Sequence, residues 1–351
     1  MTGIAASRVA PRDSALTRVS FPKPGPVPRR ELSAYVRQQL RCPACRGVLA
    51  DDTQQLACRT PSCVRHFPIV DGIPLLVDDE ASLFSIAGFL SGRDTTFHLQ
   101  PPTLTRWADR VLSALPDISD SPVSSGNFAT FRDALLRETP APRVLVIGGS
   151  IVGEGMEALA ADPRIELVST DVSFGPQTAL ICDAHSIPFA DETFDGAIVQ
   201  AVLEHTVDPH QCVAEVHRVM KPGGVVYAET PFMQQVHMGG YDFTRFTHSG
   251  HRRLFRQFSE IASGPSGGPG MALAWSYQYF LLSFTSSKPL RALIRAFSRM
   301  TSFYLKYLDR YLLSRGGAID AASGFFFIGR KEGQTLSDRD LIHYYRGAIS
   351  T

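Results

Sequence analysis

Between Arg143 and Pro231, short apolar runs alternate with turn and helix signals, and that alternation leaves the chain few folds to choose from. Val144-Leu-Val-Ile147 runs into Gly148-Gly-Ser-Ile-Val-Gly153. Glu166-Leu-Val-Ser-Thr170 ends at Asp171. Cys182-Asp-Ala-His-Ser-Ile-Pro-Phe189 precedes the strand Asp195-Gly-Ala-Ile-Val-Gln200, which leads to Leu203-Glu-His205. Asp208-Pro209 then reads as a helix N-cap with proline at the first helical position. Lys221-Pro-Gly-Gly224 turns the chain into a strand ending at Thr230-Pro231. Strands alternating with helices predict a mostly parallel sheet covered on both faces. Ligands of such sheets sit beyond the carboxyl ends of the strands. Gly148, Asp171, Asp183 and Gln200 all fall at or near those ends.

A chain of 351 residues has room for roughly two domains. Its net charge of +1 gives no overall pull toward nucleic acid or membrane. No apolar run reaches the roughly 18 residues of a membrane span, and the first thirty residues lack the apolar stretch of a secretory signal. Four of the six cysteines fall between Cys42 and Cys63. Cys42-Pro-Ala-Cys45 and the Cys58, Cys63 pair have spacings that set four thiolates around one Zn²⁺. Such a closed site is structural rather than catalytic. A metal site in a reducing cytoplasm explains this clustering better than disulfides.

The expected organisation is a disordered arm over 1–37, a zinc ribbon over 38–79, and a linker over 80–125. The linker carries short helices around Phe84–Leu90 and Leu104–Leu115. The main domain covers 126–332, with a helical insertion over 269–322 and a tail over 333–351. The insertion is the oddest segment. From 288 to 315, Lys288, Arg291, Arg295, Arg299, Lys306, Arg310 and Arg315 stand against Asp309 alone, interleaved with Leu, Ile, Phe and Tyr. A helix packed on the sheet with a solvated basic side is one reading. The other is a basic amphipathic surface for a membrane or a phosphate-bearing, lipid-linked substrate.

Two resemblances follow from these motifs. From Cys42 to Leu76, two Cys pairs precede Phe67-Pro-Ile-Val-Asp-Gly-Ile-Pro-Leu-Leu76, which resembles the small zinc ribbon that activates, or is fused to, methyltransferases. The block from Arg143 to Pro231 resembles class I S-adenosylmethionine (SAM)-dependent methyltransferases of the small-molecule type. The ordered set carries that likeness: glycine turn, strand-ending acid, Asp-Ala-x-x-x-Pro-Phe, Leu-Glu-His, then Pro-Gly-Gly. It implies a Rossmann-like α/β fold with a seven-stranded, mostly parallel sheet. It implies donor contacts from Gly148, Gly149, Ser150, Gly153, Asp171, Asp183, Ala184 and Gln200. Asp171 would accept the ribose hydroxyls and Asp183 the adenine amine. The turn departs from the family form, with Val146 where an acid is common and Ser150 in place of a glycine.

After Pro231, Tyr241-Asp-Phe-Thr-Arg-Phe-Thr-His248 resembles the acceptor-covering run of related small-molecule and sugar methyltransferases. His205, Tyr241 and Asp242 are accordingly the catalytic candidates, flanking the sulfonium. The resulting expectation is a cytoplasmic methyltransferase with SAM and structural Zn²⁺. It would act at oxygen on a small-molecule or glycan/lipid-linked acceptor, with peripheral membrane contact through 288–315. RNA methylation is a second enzyme reading, opposed by Gln200-Ala-Val-Leu203 where RNA enzymes carry an aromatic Asn/Asp-Pro-Pro-Tyr-like motif. A binding or scaffold protein on a degenerate fold is the non-enzymatic reading, motivated by Val146 and Ser150.

Overall fold

The structure is a computed structural model that describes residues 31–51, 54–91 and 115–348. The arm up to residue 30 and the helix expected around Leu104 and Trp107 lie outside the described residues. The arm was expected to reach residue 37, but Ala34–Gln38 is a helix, capped by the Ser33 hydroxyl, that buries Val36 completely.

Among the described residues, eleven strands form one sheet. They are β1 Leu49–Asp51, β2 Gln55–Cys58, β3 His66–Val70, β4 Ile73–Leu76, β5 Arg143–Ile147, β6 Glu166–Asp171, β7 Leu180–Cys182, β8 Phe194–Gln200, β9 Met220–Pro231, β10 Phe258–Gly267 and β11 Gly324–Lys331. Their order across the sheet is β1-β2-β3-β4-β7-β6-β5-β8-β9-β11-β10. Strands β7, β6, β5, β8 and β9 run parallel to one another. β11 slots antiparallel between β9 and β10. The expected seven-stranded sheet is therefore present at the centre but does not stand alone. β4 pairs parallel with β7, matching Leu75 to Ile181 and Leu76 to Cys182. The cysteine-bearing hairpins thus continue the central sheet, and the whole is an eleven-stranded sheet of mixed orientation.

Burial explains the central strands. In β5 every residue from Val144 to Ile147 is buried, as a parallel strand covered on both faces requires. On one face the helix Ser124–Glu138 packs Phe128, Phe131 and Leu135 against Val144, Ile198 and Tyr227. Each large side chain so buried contributes roughly 1.5–3 kcal/mol. On the other face lies the helix Pro209–Val219, whose N-cap Asp208 accepts the amide of Gln211 at 3.0 Å. It buries Cys212, Val213, Val216 and Val219. The chain passes straight from Val219 into β9, and Gly223 (φ +79°) carries the bulge that Lys221-Pro-Gly-Gly224 encodes.

The insertion is helical: Pro269–Leu282, Lys288–Ser302, Leu305–Leu312 and Gly317–Asp320. Asp309, the one acid among seven cations between residues 288 and 315, is buried and accepts the amides of Gly270 (2.7 Å) and Met271 (2.9 Å). It caps the first insertion helix rather than neutralising the basic side. No helix among the described residues is long and apolar enough to cross a membrane.

Candidate active site

The carboxyl ends of β5, β6 and β8 meet where the sequence places the donor. Gly148 has φ +72°, and a Cβ there would lie 2.3 Å from Val202 Cγ2, so this turn admits only glycine. The Gly149 amide donates to Thr170 O at 2.9 Å, tying the turn to β6. The Ser150 amide donates to Asp171 Oδ2 at 3.0 Å, and the Ser173 hydroxyl donates to Oδ1 at 3.0 Å. Burial raises the Asp171 carboxyl and those bonds work against it. The result is a fixed acceptor at the end of β6. A Cβ on Gly153 would lie 2.1 Å from Gln200 Oε1, so this glycine lets Gln200 reach the turn. Gln200 Nε2 donates to Glu154 O (3.2 Å) and to Glu229 Oε2 (3.1 Å).

Asp183 is more occupied than expected. Its Oδ1 accepts the His185 amide at 2.9 Å and sits 2.6 Å from His185 Nδ1, while Oδ2 accepts the Ser82 hydroxyl at 2.5 Å. Burial pushes this carboxyl up, but the bonds from His185 and Ser82 outweigh it and hold it below its usual range. A carboxylate offers about four lone-pair positions, so Oδ2 keeps one beyond its bond from Ser82. Ala184 is buried alongside. His185 has a structural post: its Nε2 accepts the Asp208 amide at 3.1 Å, joining the Asp183 loop to the helix cap. Above this end, Phe174, Phe89, Phe84 and Tyr241 form a chain of ring contacts with centroids 6.1–6.3 Å apart. The donor set, glycine cradle and aromatic cover fit SAM.

Beyond β8 the chain makes the short turn Leu203–His205 and brings His205 against His237, with Nε2 to Nε2 at 3.1 Å. His205 Nδ1 lies 2.8 Å from Tyr241 O. Burial and the neighbouring His237 push His205 down to about 4, so it is a neutral imidazole. Glu204 is 1% exposed and burial pushes its carboxyl up to about 8. Tyr241 enters through its carbonyl, while its ring is half exposed and stacks on Phe84. Asp242 is ion-paired with Arg245. Its Oδ1 pairs with Arg245 Nη1, and its Oδ2 accepts from Arg245 Nη2 at 2.9 Å and from the His237 amide at 2.8 Å. Burial alone would raise this carboxyl, but Arg245 holds it at about 2. Its task is to fix the loop that carries His237.

The four cysteines converge as their spacing predicts, with all four sulfurs within 4.8 Å of one another. Cys42 Sγ lies 3.8 Å from Cys63 Sγ, and Cys45 Sγ 3.4 Å from Cys58 Sγ. Sulfurs at about 2.3 Å around a tetrahedral ion lie about 3.8 Å apart, whereas a disulfide needs about 2.05 Å. A Cβ on Gly47 would stand 3.2 Å from both Cys45 and Cys58 Sγ, so glycine keeps the knuckle open. The geometry fits one zinc.

Sequence reasoning missed His237, Glu204, Glu229 and Ser82. Glu204 stood beside His205 in Leu-Glu-His, yet an acid before a histidine has no pattern that announces burial. His237 lies in an aperiodic loop, and Ser82 reaches Asp183 across 101 residues. Only Glu229 left a signal, as an acid near the end of an apolar strand.

Comparison with known proteins agrees with the geometry. Residues 149–228 match the methyltransferase domain family. A ubiquinone/menaquinone biosynthesis C-methyltransferase of Geobacter sulfurreducens is 37% identical over 90 residues, covering 26% of this chain and 33% of that protein. A demethylmenaquinone methyltransferase of Paenarthrobacter aurescens is 36% identical over 80 residues, covering 20% and 32%. The chain thus spans about a third of the length of these relatives. Among solved structures, a Haemonchus contortus phosphoethanolamine N-methyltransferase in complex with SAM aligns at 15% identity over 74% of this chain and 61% of that one, with a TM-score of 0.41. Over residues 149–228 the chain is similar to the methyltransferase domain family. The matched part begins at the glycine turn and runs through β6 and β8 into β9.

Proposed function

We propose that this protein is a SAM-dependent methyltransferase whose acceptor is a small-molecule or glycan/lipid-linked hydroxyl. The observation that carries the reading is the buried Asp171 carboxylate, held by the Ser150 amide beside a turn that only glycine can make. SAM would supply an electrophilic methyl group on a sulfonium, so the protein's part is to position the partners. Asp171 binds the ribose hydroxyls, the open lone pair of Asp183 receives the adenine amine, and Gly148, Gly149, Ser150 and Gly153 bring backbone close. Gln200, anchored on Glu229, borders the methyl group. His205 and His237 stand on the acceptor side and activate the acceptor oxygen. Calorimetric titration with SAM tests the donor half, and label transfer from methyl-labelled SAM into extracted metabolites and lipids tests the acceptor half. A protein that binds no SAM is a scaffold, and the proposal falls. The quinone-methylating relatives keep a carbon acceptor as the second reading, and the labelled product tells the two apart.

The cysteine cluster is proposed to hold one structural zinc. The insertion is proposed to meet the acceptor at a membrane surface. The helix Lys288–Ser302 buries Ser298 and Ser302 and exposes Leu290, Leu293, Phe297 and Met300, the reverse of a soluble helix. Leu281, Phe284, Leu293, Ile294 and Phe297 line an open apolar groove of about 450 Å³. Arg291, Arg295 and Arg299 share the helix side of Ser298 and Ser302, so the face turned outward is apolar.

A further inference from the structure

We propose that Glu204, His205 and His237 form a binding site for one divalent first-row transition cation, in addition to the cysteine site. The argument begins with protons. His205 Nδ1 faces the carbonyl of Tyr241 at 2.8 Å. His237 Nδ1 faces the carbonyl of Gln235 at 3.3 Å and the Asp242 carboxylate at 3.4 Å. All of these are acceptors, which favours the Nδ1–H tautomer of each neutral ring. Both Nε2 atoms are then bare lone pairs, and they point at each other across 3.1 Å. Two lone pairs at that distance repel unless a cation lies between them. Two imidazole nitrogens bound at about 2.1 Å to one ion lie about 3.0–3.4 Å apart.

The third ligand is the independent observation. Glu204 is 1% exposed, and neither of its oxygens accepts a hydrogen bond from any other residue. Arg245, the cation nearby, spends its guanidinium on Asp242 and on the carbonyls of Gln234, Thr244 and Gln235. A buried carboxyl with no hydrogen-bond partner is costly, and a metal ion that takes up the carboxylate removes that cost. Glu204 Oε1 lies 3.7 Å from His205 Nε2, and all three donor atoms fall within 4.8 Å of one another. The carbonyls behind each Nδ1 and the Asp242–Arg245 pair are the outer partners that orient metal-bound imidazoles. Two histidines and one carboxylate leave coordination positions open, in contrast to the closed cysteine set. The site stands on this geometry alone. The ion's part in methyl transfer, holding the acceptor oxygen, rests on the reading above.

The full chain, purified reduced and equilibrated with Co²⁺ before buffer exchange, should carry two metal ions per chain by elemental analysis. One gives the strong near-ultraviolet thiolate band of the cysteine site, and the other does not. His237→Ala and Glu204→Gln should each reduce the count to one and leave the thiolate band unchanged. Asp242→Asn should retain the second ion with about 10–100-fold weaker affinity. A wild-type count of one ion, held by thiolates, overturns the proposal even if a variant fails to fold. Two ions persisting in both ligand variants overturn it as well. Two ions in a protein that ignores SAM keep this site and sink the methyl-transfer reading, and one ion in a protein that binds SAM does the reverse.

Discussion

Asp171 and Glu215 show how differently two buried acids can serve. Asp171 ends β6 with its carboxylate fixed by Ser150 and Ser173 at 3.0 Å each. Charge-assisted bonds to ribose hydroxyls are worth roughly 1.5–3 kcal/mol each. Asp171→Ala is therefore expected to weaken SAM binding at least tenfold by calorimetry. Parent-like binding would mean the pocket has been misplaced. Glu215 instead joins two parts of the chain. It accepts from Arg218 Nη2 and Arg46 Nη2 at 2.7 Å each, and from the Ile187 amide at 3.1 Å. Glu215→Ala removes one buried partner of Arg218, which keeps Asp191 and the carbonyls of Phe189 and Ile187, and should cost about 2 kcal/mol in urea unfolding. Arg46→Ala should cost under about 1 kcal/mol, because Arg46 is largely in water.

At the scale of elements, the insertion helix Lys288–Ser302 is the one whose polarity runs against its packing. Its contact with Pro269–Leu282 is polar, with Ser298 Oγ donating to Gln278 Oε1 at 3.0 Å. Arg291, counted in the sequence as part of a charged stripe, instead donates to the carbonyls of Leu282 and Thr285 at 3.0 and 3.1 Å. It closes the preceding helix end. The apolar side is thus the better place to test lipid contact. Leu293→Ser with Phe297→Ser should lower sedimentation with anionic vesicles and leave SAM affinity unchanged. Equal sedimentation of variant and parent at low and high salt would make this face something other than a lipid contact. The helical period was legible in the sequence. Which side faced out was not, because periodicity fixes a face but not its neighbour.

For the whole molecule, the union of the cysteine hairpins with the central sheet sets how it should unfold. β4 pairs with β7, Ala190 N donates to Gln39 O at 2.9 Å, and Ser186 Oγ donates to Pro43 O at 2.6 Å. Ser82 reaches Asp183 itself. A ribbon on a free linker would melt alone. Here, chelating the metal should lower the melting temperature of a single calorimetric transition, and SAM affinity should fall with it. Two separate transitions, only one of them moved by chelator, would show that the hairpins fold independently.

The residues by themselves determined the alternation that makes the central sheet, the glycine turn, the strand-ending Asp171, the capped helix at Asp208 and the convergence of four cysteines. Each is local: it depends on a period of two or 3.6, on a backbone angle open to glycine, or on ligands a few residues apart. Tertiary structure decided what distant segments do to one another. It joined β4 to β7, drew Ser82 onto Asp183, bound Asp242 to Arg245, and set His237 against His205 over a buried Glu204. None of these leaves a periodic trace, because a contact across tens of residues depends on how the sheet twists and on which loop returns over its carboxyl edge.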